Sequence, residues 1–106
     1  MDSSKLASAS LLQRLFLKKF LVEGNSMSPL LHAGDIVYIK KIRNINVGDV
    51  VAARHPFRKK YIVKRVTSVC GENVELHGLN MDESEDSRVF GAIPQSDVLG
   101  KIVSKK

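Results

Sequence analysis

The sequence predicts a small, mostly β domain, a twisted antiparallel sheet preceded by a short amphipathic helix. Three observations carry that expectation. The chain has 106 residues, room for one compact core and little else. Its apolar content is an ordinary 43%, but only 6% is aromatic and Trp is absent, so Val, Ile and Leu must fill the interior, a mix that favours strands. Short β-type runs also recur along the chain, each introduced by turn residues.

The helix is expected over residues 9–21, where Leu12, Leu15, Phe16 and Phe20 recur at helical spacing. Arg14, Lys18 and Lys19 interrupt this segment well short of the roughly 20 apolar residues a membrane span needs. It also lacks the uninterrupted apolar stretch and small-residue cleavage site of a signal peptide. Its role is either to cover the core or to dock on a membrane surface. The chain therefore divides into a tail and helix, residues 1–21, and a main domain, residues 22–106.

In the main domain Gly34-Asp35 precedes IVYIKKI, Gly48-Asp49 precedes VVAARH, and Arg58-Lys59-Lys60 precedes YIVKRVTSV. NVELHG follows Gly71-Glu72, and VLGKIVS closes the chain. Two segments depart from this rhythm and read as loops. One is Gly24-Asn25-Ser26-Met27-Ser28-Pro29; the other runs from Gly78 to Pro94, rich in acids and Ser and long for so small a domain.

Charge and cysteine content narrow the function classes. A lone Cys70 rules out an internal disulfide framework, and no Cys or His spacing matches a zinc site. Cys70 reads as structural filler, and an unpaired thiol suits a reducing, cytoplasmic compartment. The net charge is +6, and residues 40–65 hold nine Lys or Arg against the single acid Asp49. Residues 72–87 hold six acids and no Lys or Arg. Such a basic run is either a solvated face or a binding surface. Phe57 and Tyr61 are its only aromatics, too few to argue for nucleic acid.

Two residues carry candidate chemistry. Ser26 lies in a tight Gly/Pro-bounded turn that could present its hydroxyl and its own backbone N–H to a bound carbonyl. A serine needs a base, however, and none of His32, His55 and His77 sits in a recognisable triad pattern, which leaves a Ser-His-Asp arrangement as a fallback. Lys64 is the alternative. Strand alternation puts it on one face with Ile62 and Val66, where burial would lower a lysine pKa from about 10.4 toward the range of a general base. The plainer reading makes that face the solvent side of an edge strand, with Lys64 blunting it.

The ordered segments VEGNSMSPLLHAGDIVYI, VGDVVAARHPFRKKYIVKRV and GLNMDESEDSRVFGAIPQSDVLGKI decide between these readings. Together they resemble the type I signal peptidase family of Ser/Lys proteases from Val22 to Ile102. Ser26-Met27 and Pro29 match the family's nucleophile box, and Lys64-Arg65 its lysine box. Gly78, Asn80, Ser84, Asp86-Ser87-Arg88 and Phe90-Gly91 match its last box. Within the family the compact length and the stretch ARHPF are most similar to the maturation proteases of nickel-type superoxide dismutase.

The resemblance implies a signal-peptidase-like fold in which Ser26 attacks and Lys64 takes its proton. It also implies that Ser84 orients the Lys64 amine, that Asp86 and Arg88 pair to hold the last loop, and that the Ser26 backbone N–H is an oxyanion donor. No cofactor or metal is needed for the chemistry; nickel would belong to the substrate. The implied partner is a precursor protein, the nickel superoxide dismutase proenzyme, with no nucleic acid and no membrane span. Two positions depart from the family pattern. Gly24 replaces a Ser that supplies a second oxyanion donor in some members, and Leu79 replaces the Asp of a Gly-Asp-Asn opening. Two alternatives stay open: a leader peptidase for exported proteins, docked peripherally through residues 9–21, and a non-catalytic peptide-binding module of the same fold.

Overall fold

The structure, a computed structural model, describes residues 17–80 and 86–106. Seven strands form one sheet: β1 (Lys18–Leu21), β2 (Ile36–Lys40), β3 (Val50–Arg54), β4 (Tyr61–Cys70), β5 (Asn73–His77), β6 (Ile93–Pro94) and β7 (Val98–Lys105). Their order is β1-β2-β7-β3-β4-β5-β6, and every neighbouring pair is antiparallel. The mostly β, antiparallel fold class is therefore the one the sequence predicts.

Adjacent residues of the central strands feed different core clusters. Ala52 and Val63 join Val22, Met27, Leu31, Val37, Ile39 and Ile102 in one. Val51, Ala53, Ile62 and Val66 join Val74, Leu76 and Ile93 in the other. A sheet that buries both faces must curl, and register shifts at Tyr38/Ile39, Ala52/Ala53 and Val66/Ser68 supply the bends. Gly100 permits the closest backbone approach, since a Cβ there would sit 2.7 Å from the Lys40 carbonyl oxygen.

Two expectations need correction. Lys18–Leu21 form a strand, not the end of a helix, and pair with β2 from Lys18↔Ile39 to Leu21↔Ile36. Phe20 is the partly buried member of that strand and packs on the first cluster, so ladder pairing outweighs the helical spacing of the apolar residues. Residues 9–16, the remainder of the predicted helix, lie outside the described residues. The stretch from Gly78 to Pro94 is likewise more than loop, because it contains a helical turn, α1 (Ser87–Phe90), and β6. Asp86 caps α1 by accepting from the Arg88 backbone N–H.

Candidate active site

The turn that carries Ser26 is fastened at several points. Val22 N–H donates to the Asp35 carbonyl (2.8 Å), and Gly34 N–H returns to the Val22 carbonyl (2.9 Å), closing the base of the loop. Asn25 braces the interior. Its carbonyl accepts from Ser28 N–H (3.0 Å) and its side-chain Oδ1 from Ala33 N–H (3.1 Å). Gly24, with φ +73°, supplies a left-handed step that other residues adopt at a cost. Met27 is 1% exposed in the first core cluster, so the residue after Ser26 anchors the turn while Ser26 stays half-buried at its surface.

Lys64 sits in the middle of β4, a strand flanked by β3 and β5, and is only 3% exposed. Val51 pairs with it across the ladder, and Ile62 and Val66 flank it on the same face. The solvent-edge reading of this lysine does not survive that placement. Ser26 and Lys64 line one cleft of about 160 Å³ together with Glu23, Gly24, Lys60, Tyr61, Ile62 and Val63. Two residues 38 positions apart in sequence thus meet in one small cavity.

The last loop is tied to this cleft through backbone groups. Asn80 N–H donates to the Ser26 carbonyl at 2.7 Å. Leu79 is partly buried against the first core cluster, so the residue that replaces the family's Asp acts here by packing. Asp86 is fully buried and receives Gly78 N–H on Oδ2 (2.9 Å) and Arg88 N–H on Oδ1 (3.0 Å). Arg88 adds a fork, Nε to Oδ1 at 3.0 Å and Nη2 to Oδ2. That side-chain hydrogen bond, more than the charge of Asp86, raises the Arg88 pKa above its ordinary value. Ser87 Oγ accepts from Leu76 N–H (2.8 Å), fixing α1 to β5. Ser84 lies outside the described residues.

None of the three histidines lines the Ser26–Lys64 cleft. His55 is buried, with Nδ1 accepting from both Phe57 and Arg58 N–H (3.0 and 3.1 Å) and its ring edge-on to Phe90 at 5.1 Å. It organises the turn between β3 and β4. Gly78 and Asn80 are named by the last box, but the bonds of their backbone N–H groups escape sequence reading, as does the bracing role of Asn25. The signal for Asn25 was the tendency of Asn to bond nearby backbone in turns.

Residues 4–79 match the family described as signal peptidase, peptidase S26. This chain belongs to the peptidase S26 family. It is 36% identical over 75 residues to signal peptidase I of Bacillus amyloliquefaciens and 33% identical over 72 residues to signal peptidase I T of Bacillus subtilis. These stretches cover 67% and 64% of this chain, but only 39% and 37% of those relatives. It is 30% identical over 110 residues to the human mitochondrial inner membrane protease subunit 1, covering 80% of this chain and 66% of that one. Among the described residues of this S26 chain, no helix is long and apolar enough to cross a membrane.

Proposed function

We propose that this chain is a serine endopeptidase with a Ser26/Lys64 dyad, which removes the N-terminal leader of a precursor protein. The observation that carries this reading is the shared cleft, with a lysine 3% exposed beside a serine held on a braced turn. Burial by itself penalises a charged amine relative to a neutral one, which suits a base. Family membership supports the same chemistry.

In this mechanism Ser26 Oγ attacks the scissile carbonyl carbon while Lys64 Nζ takes the hydroxyl proton. The Ser26 backbone N–H stabilises the oxyanion, an interaction worth about 3 kcal/mol in comparable sites. Collapse of the tetrahedral intermediate breaks the C–N bond, and Lys64 delivers its proton to the departing amine. A water then attacks the acyl ester with Lys64 again as base, releasing the carboxylate and restoring the serine. Ser84 orients the amine, and the Asp86–Arg88 pair holds the loop that carries it.

The substrate in this proposal is a nickel-type superoxide dismutase proenzyme, on the strength of the ARHPF stretch before the lysine box. Nickel ligation by a chain's own terminal amine requires a free amine, which only removal of the leader exposes. The exposed, unpaired thiol of Cys70 supports a reducing, cytoplasmic setting. A second reading, a leader peptidase for exported proteins, is favoured by the two Bacillus relatives named signal peptidase I.

Co-expression with the proenzyme, followed by mass spectrometry of the product's N-terminus, tests the proposal. Wild type trims the leader, and Ser26→Ala and Lys64→Ala leave it intact. Trimming at the wild-type rate by Lys64→Ala refutes the dyad. Processing of an exported precursor but not the proenzyme moves the assignment to the second reading.

A further inference from the structure

Lys64 apart, the basic run at residues 40–65 has no part in the dyad, yet the fold arranges several of its members into a continuous path. From the Ser26–Lys64 cleft, Lys60 and Tyr61 are shared with a second cleft that also includes Arg54 and Lys59. Arg54 in turn is shared with a third cleft of about 470 Å³, where it faces Lys18, Lys40 and Lys41. The three cavities are therefore linked in sequence by common walls. Lys18 comes from β1, Lys40 from the end of β2 with Lys41 just after it, Arg54 from β3, and Lys59 and Lys60 from the following turn. Pairing of β1 with β2, and of β3 with β4, gathers charges that are far apart in the chain. All six are exposed, and no Asp or Glu lines the second or third cleft among the described residues.

Exposed cations this concentrated repel one another, and an anionic occupant relieves that repulsion. The aromatic side chain on the path is poorly placed for a nucleic acid. Tyr61 carries the Arg54 guanidinium 5.9 Å from its ring centroid and packs edge-to-face with Phe20 at 6.0 Å between centroids, so a stacked base would compete with Arg54 for the ring. Phe57, 76% exposed, lines none of the three clefts. The path opens on the cleft where the proposed cut is made, so a polypeptide lying in that cleft extends directly onto it.

We infer that this path is an exosite for an acidic segment of the polypeptide substrate, a stretch of Asp and Glu flanking the scissile bond. The inference rests on the endopeptidase reading for its biological meaning, and its binding test does not. Binding of a fluorescein-labelled polyglutamate peptide to the Ser26→Ala protein, followed by anisotropy, reads the exosite without turnover. Lys40→Glu/Lys41→Glu weakens this binding on the order of tenfold. Arg43→Glu/Lys106→Glu changes the net charge equally, lies off the path and leaves binding near wild type. Affinity also falls as salt shortens the screening length from about 10 Å at 0.1 M to about 3 Å at 1 M.

Circular dichroism confirms that each variant is folded. Equal binding by the two double variants, or no binding at all, overturns the exosite. So does preferential binding of polyuridine RNA, or of vesicles containing phosphatidylglycerol, through Lys40 and Lys41. Polyglutamate binding by Ser26→Ala with no precursor trimmed by wild type supports the exosite and sinks the endopeptidase reading. Trimming indifferent to both salt and the Lys40/Lys41 reversal does the opposite.

Discussion

Replacing Asp86 by Ala removes a buried carboxylate on which the last loop converges. Among the described residues, two backbone N–H groups lose their bond to this carboxylate, Gly78 N–H at 2.9 Å and Arg88 N–H at 3.0 Å. The second is the N-cap bond of α1, whose loss costs about 1 kcal/mol. The first belongs to a buried residue, and a buried donor left unsatisfied costs about 1–3 kcal/mol. The expected destabilisation is therefore about 2–4 kcal/mol. Equilibrium unfolding in urea measures it as a lower midpoint at unchanged slope. Arg88→Ala is the companion variant. Its side chain is 34% exposed and leaves both backbone donors bonded to Asp86, so it costs distinctly less. Should Arg88→Ala equal Asp86→Ala, or Asp86→Ala fall below about 1 kcal/mol, the account of Asp86 as a backbone latch is wrong.

Three further outcomes follow from the same structure. Gly100→Ala sets a Cβ 2.7 Å from the Lys40 carbonyl oxygen, a backbone atom that cannot swing away, and lowers stability by about 1–3 kcal/mol in thermal or urea unfolding. Lys64→Met keeps an unbranched side chain of similar volume at a site 3% exposed, so the protein stays folded by circular dichroism while precursor cleavage is abolished; a variant that still cleaves removes Lys64 from the chemistry. The raised Arg88 pKa means its stabilisation is fully present below the ordinary arginine value and is lost only as pH rises through the folded value. The stability gap between wild type and Arg88→Ala is therefore flat from about pH 6 to about pH 10, as urea titrations at several pH values will test.

Much of the fold is legible along the chain because its strands advertise themselves. The runs IVYIK, VVAAR, YIVKRV and NVELH are bracketed by Gly-Asp, basic or Gly-Glu turns, and each is a strand in the structure. Local signals fail where pairing decides. Phe20 fits a helical stripe on spacing alone, yet Lys18–Leu21 is the strand that β2 captures. Ile93–Pro94 is too short to announce itself and is a strand only because Val74 and Asn73 lie opposite.

The site divides in the same way. Residue type alone offered Ser26 and Lys64 only as candidates; the resemblance of the ordered boxes singled them out and added the Asp86–Arg88 pair. Whether Lys64 faced water or the interior depended on which strands flank β4, and alternation along a single strand cannot say which face is covered. The fold sets β3 and β5 on either side and places Lys64 in one cleft with Ser26. The bonds that fasten the loops, Asn80 N–H to the Ser26 carbonyl and Gly78 N–H to Asp86, use backbone groups that every residue carries. The sequence, read with its family resemblance, therefore named the side chains that are candidates for chemistry. Only the tertiary structure decided that they meet, because contact between distant residues depends on the sheet's register and curl.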